Sequence, residues 1–195
     1  MRQTPIRSMT RCLLVCAAVA LPLGALGGCS TTPDTEDQLD LVTDAIGAHN
    51  WFRSRVPGLD AQIASSAGYI VFPGVAQWGL GISGGNYGRG VVYNSAGRQI
   101  GWAAFNKVSG GLQIGGQGFK MLMVVEDETT FMELMDNKLT GSASAVGVVG
   151  RGGGAAAPFD NGFAIYQGDN RGLIAGVNVG LDVLRYEPFV GGSSL

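Results

Sequence analysis

Few residues in this 195-residue chain have both the type and the spacing that chemistry requires. Gly79-x-Gly81-x-x-Gly84 has the spacing of a dinucleotide-binding turn, whose glycines bring a pyrophosphate to the N-terminus of a helix. Here the run continues as Gly85-Asn86-Tyr87-Gly88, a sequence that predicts no helix to receive the phosphates. Gly81-Ile82-Ser83-Gly84-Gly85 has the outline of a nucleophile elbow, which needs a strand-to-helix turn and a histidine base later in the chain. The sole histidine, His49, comes earlier. Glu126-Asp127-Glu128 reads as the start of a helix rather than a ligand set, and Gly152 to Gly154 lack the Lys-Ser/Thr of a phosphate loop. The expectation is a non-catalytic protein with no metal and no cofactor.

One thiol does carry chemistry. Arg2, Arg7 and Arg11 precede an apolar run from Cys12 to Leu26, followed by small residues, which is the anatomy of a signal peptide over 1–28. That run is 15 residues long, short of the roughly 20 that span a bilayer as a helix. Leu26-Gly27-Gly28-Cys29 looks like a bacterial lipobox, in which the Cys thiol takes a diacylglycerol and the Cys becomes the new N-terminus. Cys12 and Cys16 leave with the signal, so Cys29 is the only thiol of the mature chain and no internal disulfide can form. Ser30 at the next position implies forwarding to the outer membrane, with the domain lipid-anchored and facing the periplasm. Three of the thirteen basic residues also leave, so ten remain against fifteen acidic ones, a net charge of −5. Nothing in that balance favours a nucleic-acid partner.

The elements that must carry these residues follow from periodicity. Residues 29–38 form a lipidated Cys and a short polar tether, with Thr32 or Thr35 capping a helix that opens near Pro33. Leu39, Val42, Ile46 and His49 or Asn50 then share one face at helical spacing, and the acidic residues favour the N-terminal end. Pro57-Gly58 breaks the chain before a second helix carrying Leu59, Ile63 and Ala67 and ending at Gly68. From Tyr69 the period becomes two, with a strand Tyr69–Phe72, a turn at Pro73-Gly74, and further strands at 78–83, 90–93, 99–105, 112–117, 119–125, 139–149 and 173–184. A helix from Glu128 to Asp136 interrupts them with Phe131, Leu134 and Met135 inward, and residues 150–162 form a glycine-rich loop. The fold class is α+β and β-rich: a strongly curved antiparallel sheet or partial barrel, with two N-terminal helices and one inserted helix, as a single domain over 39–190.

Four blocks in order carry a family resemblance: Gly68-Tyr69-Ile70-Val71-Phe72-Pro73, Gly81 to Gly90, Gly111-Leu112-Gln113-Ile114-Gly115-Gly116-Gln117, and Arg171-Gly172-Leu173-Ile174-Ala175-Gly176-Val177. Together they resemble the SYLF lipid-binding domain family over roughly 39–185. The resemblance implies a phospholipid-binding domain; bacterial members are commonly exported lipoproteins, and animal and yeast relatives bind phosphoinositides and, in some cases, actin. Gln77 stands where the family often has a basic residue, and Trp102-Ala103-Ala104-Phe105 replaces its Trp-x-x-Pro element. The N-terminal helix is acidic rather than basic, so headgroup specificity is not carried over. Candidate lipid-binding cations are Arg89, Lys107, Arg151 and Arg171, beside the lipidation site Cys29. The alternative from another class is a structural lipoprotein whose strand edges or glycine-rich loop dock a protein partner.

Overall fold

A computed structural model describes residues 31–114, 117–138, 144–145, 156–169, 172–174, 179–180 and 183–189. The expected signal peptide over 1–28, Cys29, most of the expected strand at 139–149 and the Gly152–Gly154 run lie outside the described residues. Helix α1 (Thr35–Arg53) is followed by α2 (Leu59–Ala64), β1 (Gly68–Asn94), β2 (Gln99–Ile114), β3 (Gln117–Val125), α3 (Glu128–Met135), β4 (Ser144–Ala145), β5 (Phe163–Asp169), β6 (Gly172–Ile174), β7 (Val179–Gly180) and β8 (Val183–Pro188). Six strands form one antiparallel sheet in the order β6-β5-β3-β1-β2-β8, and β4 pairs with β7. Of the two forms expected, the curved sheet is the one found, because among the described residues β6 and β8 are the edges of the sheet and it does not close into a barrel.

β1 is a single strand of 27 residues. Its partners are β3 over Gly68 to Gln77 and β2 over Leu80 to Tyr93, both antiparallel, with register shifts at Phe72/Val75, Gly81/Ser83 and Val92/Tyr93. A straight strand of that length would reach on the order of 90 Å. Instead its two ends lie side by side: the rings of Tyr69 and Tyr93 stack at 5.0 Å, on one face of the sheet. Glycine makes the approach possible. A Cβ on Gly90 would stand 2.7 Å from Phe72 Cδ1 and 2.7 Å from the Val71 carbonyl oxygen, and one on Gly88 would stand 2.9 Å from Val75 Cγ2.

The expected turn at Pro73-Gly74 is a bulge inside β1. Phe72 faces Met121 and Val75 faces Phe119, so three steps on β1 match two on β3. The extra residue flips the alternation, and both Phe72 and Val75 point into the same core.

The sheet is buried on both faces. Ile70, Phe72, Met121, Met123, Phe105, Phe163 and Ile165 pack on one side with Phe131 and Leu134 of α3. Tyr69, Val71, Val91, Trp102, Leu122, Val124 and Tyr166 pack on the other with α1 and α2. β5 therefore reads as a continuous apolar run, Phe163-Ala164-Ile165-Tyr166, with no alternation to mark it, and the sequence reading passes over it.

The helices depart from the sequence reading in three places. α1 packs through Ala45, Ala48 and Phe52, whereas Leu39 and Ile46 face outward at 73% and 52% exposure. Small alanines let the helix sit close to the sheet, and the larger side chains fall on another meridian. Its N-cap is Asp34, not Thr32 or Thr35. α2 stops at Ala64, because Gly68 already belongs to β1, where a Cβ would stand 2.5 Å from Phe131 Cζ. The Glu128–Asp136 expectation holds as α3, capped by Asp127, whose carboxylate accepts from the Thr130 N–H and hydroxyl, each at 2.9 Å.

Two glycines separate the account from a general intolerance of substitution. Gly90→Ala is expected to lower stability by about 1–3 kcal/mol through overpacking. Gly47, in mid-helix with nothing within 4 Å of its Cβ position, is expected to gain about 1 kcal/mol as alanine. Urea-unfolding midpoints of the two variants, moving in opposite directions, check both.

Candidate functional site

The helix-facing side of the sheet is not fully covered. Beside α1 lies the bulge at Pro73-Gly74, and the stretch Tyr87-Gly88-Arg89 of the same strand borders it. Between them lies a hollow of about 600 Å³, with Leu41 and Asp44 of α1 on one wall. A second hollow of about 410 Å³ continues along α1 through Thr43 and Gly47 and is bordered by Lys120. Asp44, Pro73 and Gly74 line both, so the two form one groove.

The alternation of the strands explains who faces it. Tyr69, Val71, Val91, Tyr93, Leu122 and Val124 point to the helix layer, so Tyr87, Arg89, Gly118 and Lys120, at even spacing from them, emerge on the same side. Gly74 and Gly118 contribute bare backbone, which leaves room rather than filling it. Leu41, Pro73 and Ala76 make the walls apolar. Arg89 is half-buried, and its Nε donates to the Tyr87 hydroxyl at 3.0 Å, which holds the guanidinium at the rim. Lys120 is half-buried, with Nζ 5.9 Å from the centre of the Trp51 ring; Arg55 lies over the same ring at 4.2 Å. The groove thus joins an apolar lining to two cations, with Asp44 as the acid between them. Such a site suits an amphipathic anion.

Next to the groove, α1 lays His49 on Tyr69 at 5.0 Å, and Tyr69 on Tyr93 at the same spacing. Burial pushes the Tyr93 hydroxyl up to about 12, with a further contribution from Tyr69. His49 is held below its ordinary value by burial, then by the charge of Arg53, with Asp60 opposing. Its Nε2 is buried without a hydrogen-bond partner, so the neutral ring is the form that fits.

Of the residues singled out from sequence, the structure brings Arg89 to the groove. Lys107 lies in β2 opposite Asn86, and its side chain is outside the described residues, as are Arg151, Arg171 and Cys29. Phe52 belongs to the core, and Trp51 is half-buried beneath its two cations. Lys120 was missed, although it is the lone cation in the run Phe119 to Val125. The glycine run from Gly79 to Gly90 is extended throughout as part of β1, so neither a dinucleotide turn nor a nucleophile elbow is formed there. Among the described residues no three His, Cys, Asp or Glu side chains come together as a metal site, and no helix is long and apolar enough to cross a membrane. Searches against protein-family models and against curated proteins give no match.

Because the lowered His49 pKa favours the neutral ring in the folded state, its contribution to stability is present above the unfolded value and lost as pH falls through the folded one. Proton NMR of the single imidazole is expected to give a midpoint below 6.5, with stability declining on acidification across that midpoint. A midpoint at or above the ordinary value contradicts the packing described.

Proposed function

We propose that this protein is a non-catalytic, phospholipid-binding lipoprotein of the bacterial envelope, anchored through acylated Cys29 to the outer membrane and facing the periplasm. The observation that carries the reading is the groove between α1 and the β1 bulge, apolar in the part lined by Leu41, Pro73 and Ala76 and bordered by Arg89 and, further along α1, by Lys120. An acyl or glycerol portion of a lipid lies against Leu41, Pro73 and Ala76, and the phosphate meets the cations by charge-assisted hydrogen bonds. The order and content of the SYLF-like blocks agree with this, and they include part of the groove: Phe72-Pro73 closes one block, and Tyr87 to Arg89 lies in the next. The anchor works without the fold's help, since each buried CH2 contributes about 0.8 kcal/mol and a multiply acylated Cys carries many.

The test uses native mass spectrometry and vesicle binding of the domain with Cys29→Ala. A copurified phospholipid is expected. Gly74→Leu projects into open space, because nothing lies within 4 Å of the Gly74 Cβ position, so it plugs the groove without disturbing the fold. That variant is expected to lose the lipid, and Arg89→Ala to weaken vesicle binding about tenfold, in line with a charged hydrogen bond worth ~1.5–3 kcal/mol. Undiminished binding by both variants contradicts the site, and no binding across several lipid compositions contradicts the function.

A further inference from the structure

The polar stretch after the lipobox is docked on the domain. Thr31 is 2% exposed and Pro33 is buried. Glu187, near the end of β8, receives the Thr31 N–H on Oε1 at 3.1 Å and the Thr32 N–H on Oε2 at 2.9 Å; the Thr32 hydroxyl also donates to Oε2. One carboxylate therefore takes three hydrogen bonds from two consecutive residues, spanning 155 and 156 positions of sequence. A charged acceptor makes these bonds roughly twice as strong as neutral ones.

The length of chain beyond this pin decides what lies next to it. Only Ser30 separates Thr31 from Cys29, and two residues reach at most ~7 Å. An acylated Cys29 enters the bilayer within that distance of Thr31, which is itself hydrogen-bonded to Glu187, so the surface around Glu187 must meet the membrane. That surface presents an exposed aromatic residue: Phe189, 44% exposed, follows the strand directly and is held in place by its N–H to the Ile100 carbonyl at 2.9 Å. The ring also packs edge-on against buried Trp102 at 5.9 Å, so it stands outward without losing its order.

We propose that the sheet edge around Glu187 and Phe189 is the membrane-facing surface of the domain, fixed there by the Glu187 pin on Thr31 and Thr32. The partner is the bilayer that holds the anchor, with Phe189 seated at its interface. The pin also sets where the groove sits. Asp44 stands ten residues along α1 from the Asp34 cap, about 15 Å at the helical rise, so the groove lies at a bounded distance from the pin and not at the end of a loose leash. It further holds an acidic domain against a surface whose anionic lipids repel it. This inference rests on the lipidation of Cys29 proposed above.

The experiment uses the full acylated protein in phosphatidylethanolamine–phosphatidylglycerol vesicles, with an environment-sensitive fluorophore on Phe189→Cys or, as the distant position, on exposed Asn50→Cys. The mature chain's other thiol is capped by the lipid, so each label goes to one place. Headgroup-nitroxide lipids are expected to quench the label at 189 at least about twofold and to leave the one at 50, some 24 Å along α1 from the cap, nearly unquenched. Equal quenching at the two positions, or none at 189, overturns the proposal. In a Glu187→Ala background the contrast is expected to collapse, with amide exchange at Thr31 and Thr32 accelerating while the melting temperature verifies the fold. Should that variant fail to fold, a flexible Gly-Ser insertion between Ser30 and Thr31 leaves the pin intact and is expected to abolish quenching at 189; persistence of quenching there overturns the proposal. Intact mass separates the two readings: an unacylated Cys29 removes the anchor on which both rest, whereas an acylated protein lacking contact at 189 removes this inference alone.

Discussion

The return of β1 upon itself is the constraint on which everything else depends. A strand of 27 residues that pairs along its whole length with one partner ribbon cannot stay straight in a domain of this size. Bringing Tyr69 beside Tyr93 needs bare backbone where the two stretches touch, and Gly88 and Gly90 supply it under Val75 and Phe72. The same solution recurs at other contacts. The ring of Phe131 lies over Gly68 and that of Tyr186 over Gly101, so aromatic side chains occupy the space that glycine leaves free. Strand glycine costs conformational entropy on folding; here close packing of rings and strands offsets it.

The groove is a by-product of that arrangement. The bulge at Pro73-Gly74 and Leu41 with Asp44 of α1 line the same hollow, and the doubling back brings Tyr87 and Arg89 to it. Lys120 reaches it from β3 because the alternation of that strand places every second residue on the helix side. Two cations and an apolar wall are thus assembled from four stretches of sequence, with no single stretch carrying a recognisable motif. The N-terminal segment is pinned as well: a carboxylate on the last strand of the sheet takes three hydrogen bonds from Thr31 and Thr32.

How much of this the sequence makes legible depends on the range of the interaction. α3 is legible because its signals are local: Asp127 in front, then Phe131 and Leu134 on one face. The β-rich α+β class and the curved sheet follow from period-two apolar residues interrupted by glycine. β5 is not legible, since a strand buried on both faces loses its alternation, and the buried face of α1 is not, since alanines pack there while Leu39 and Ile46 face outward. Pro73-Gly74 has the composition of a turn, and only its pairing with β3 makes it a bulge. Arg89 stands out as a cation in a glycine-rich block, but its neighbourhood with Pro73 and Lys120 is a property of the doubled strand that no local pattern encodes.

The central claim is that the α1–β1 groove holds a phospholipid by its phosphate and its apolar part together. Heteronuclear NMR of the labelled domain titrated with a short-chain phospholipid below its micelle concentration tests it most directly. The account predicts saturable shifts grouped at Leu41, Gly74, Ala76, Tyr87, Arg89 and Lys120, with the opposite face of the sheet unmoved. Shifts scattered over the surface, or grouped away from the groove, contradict it.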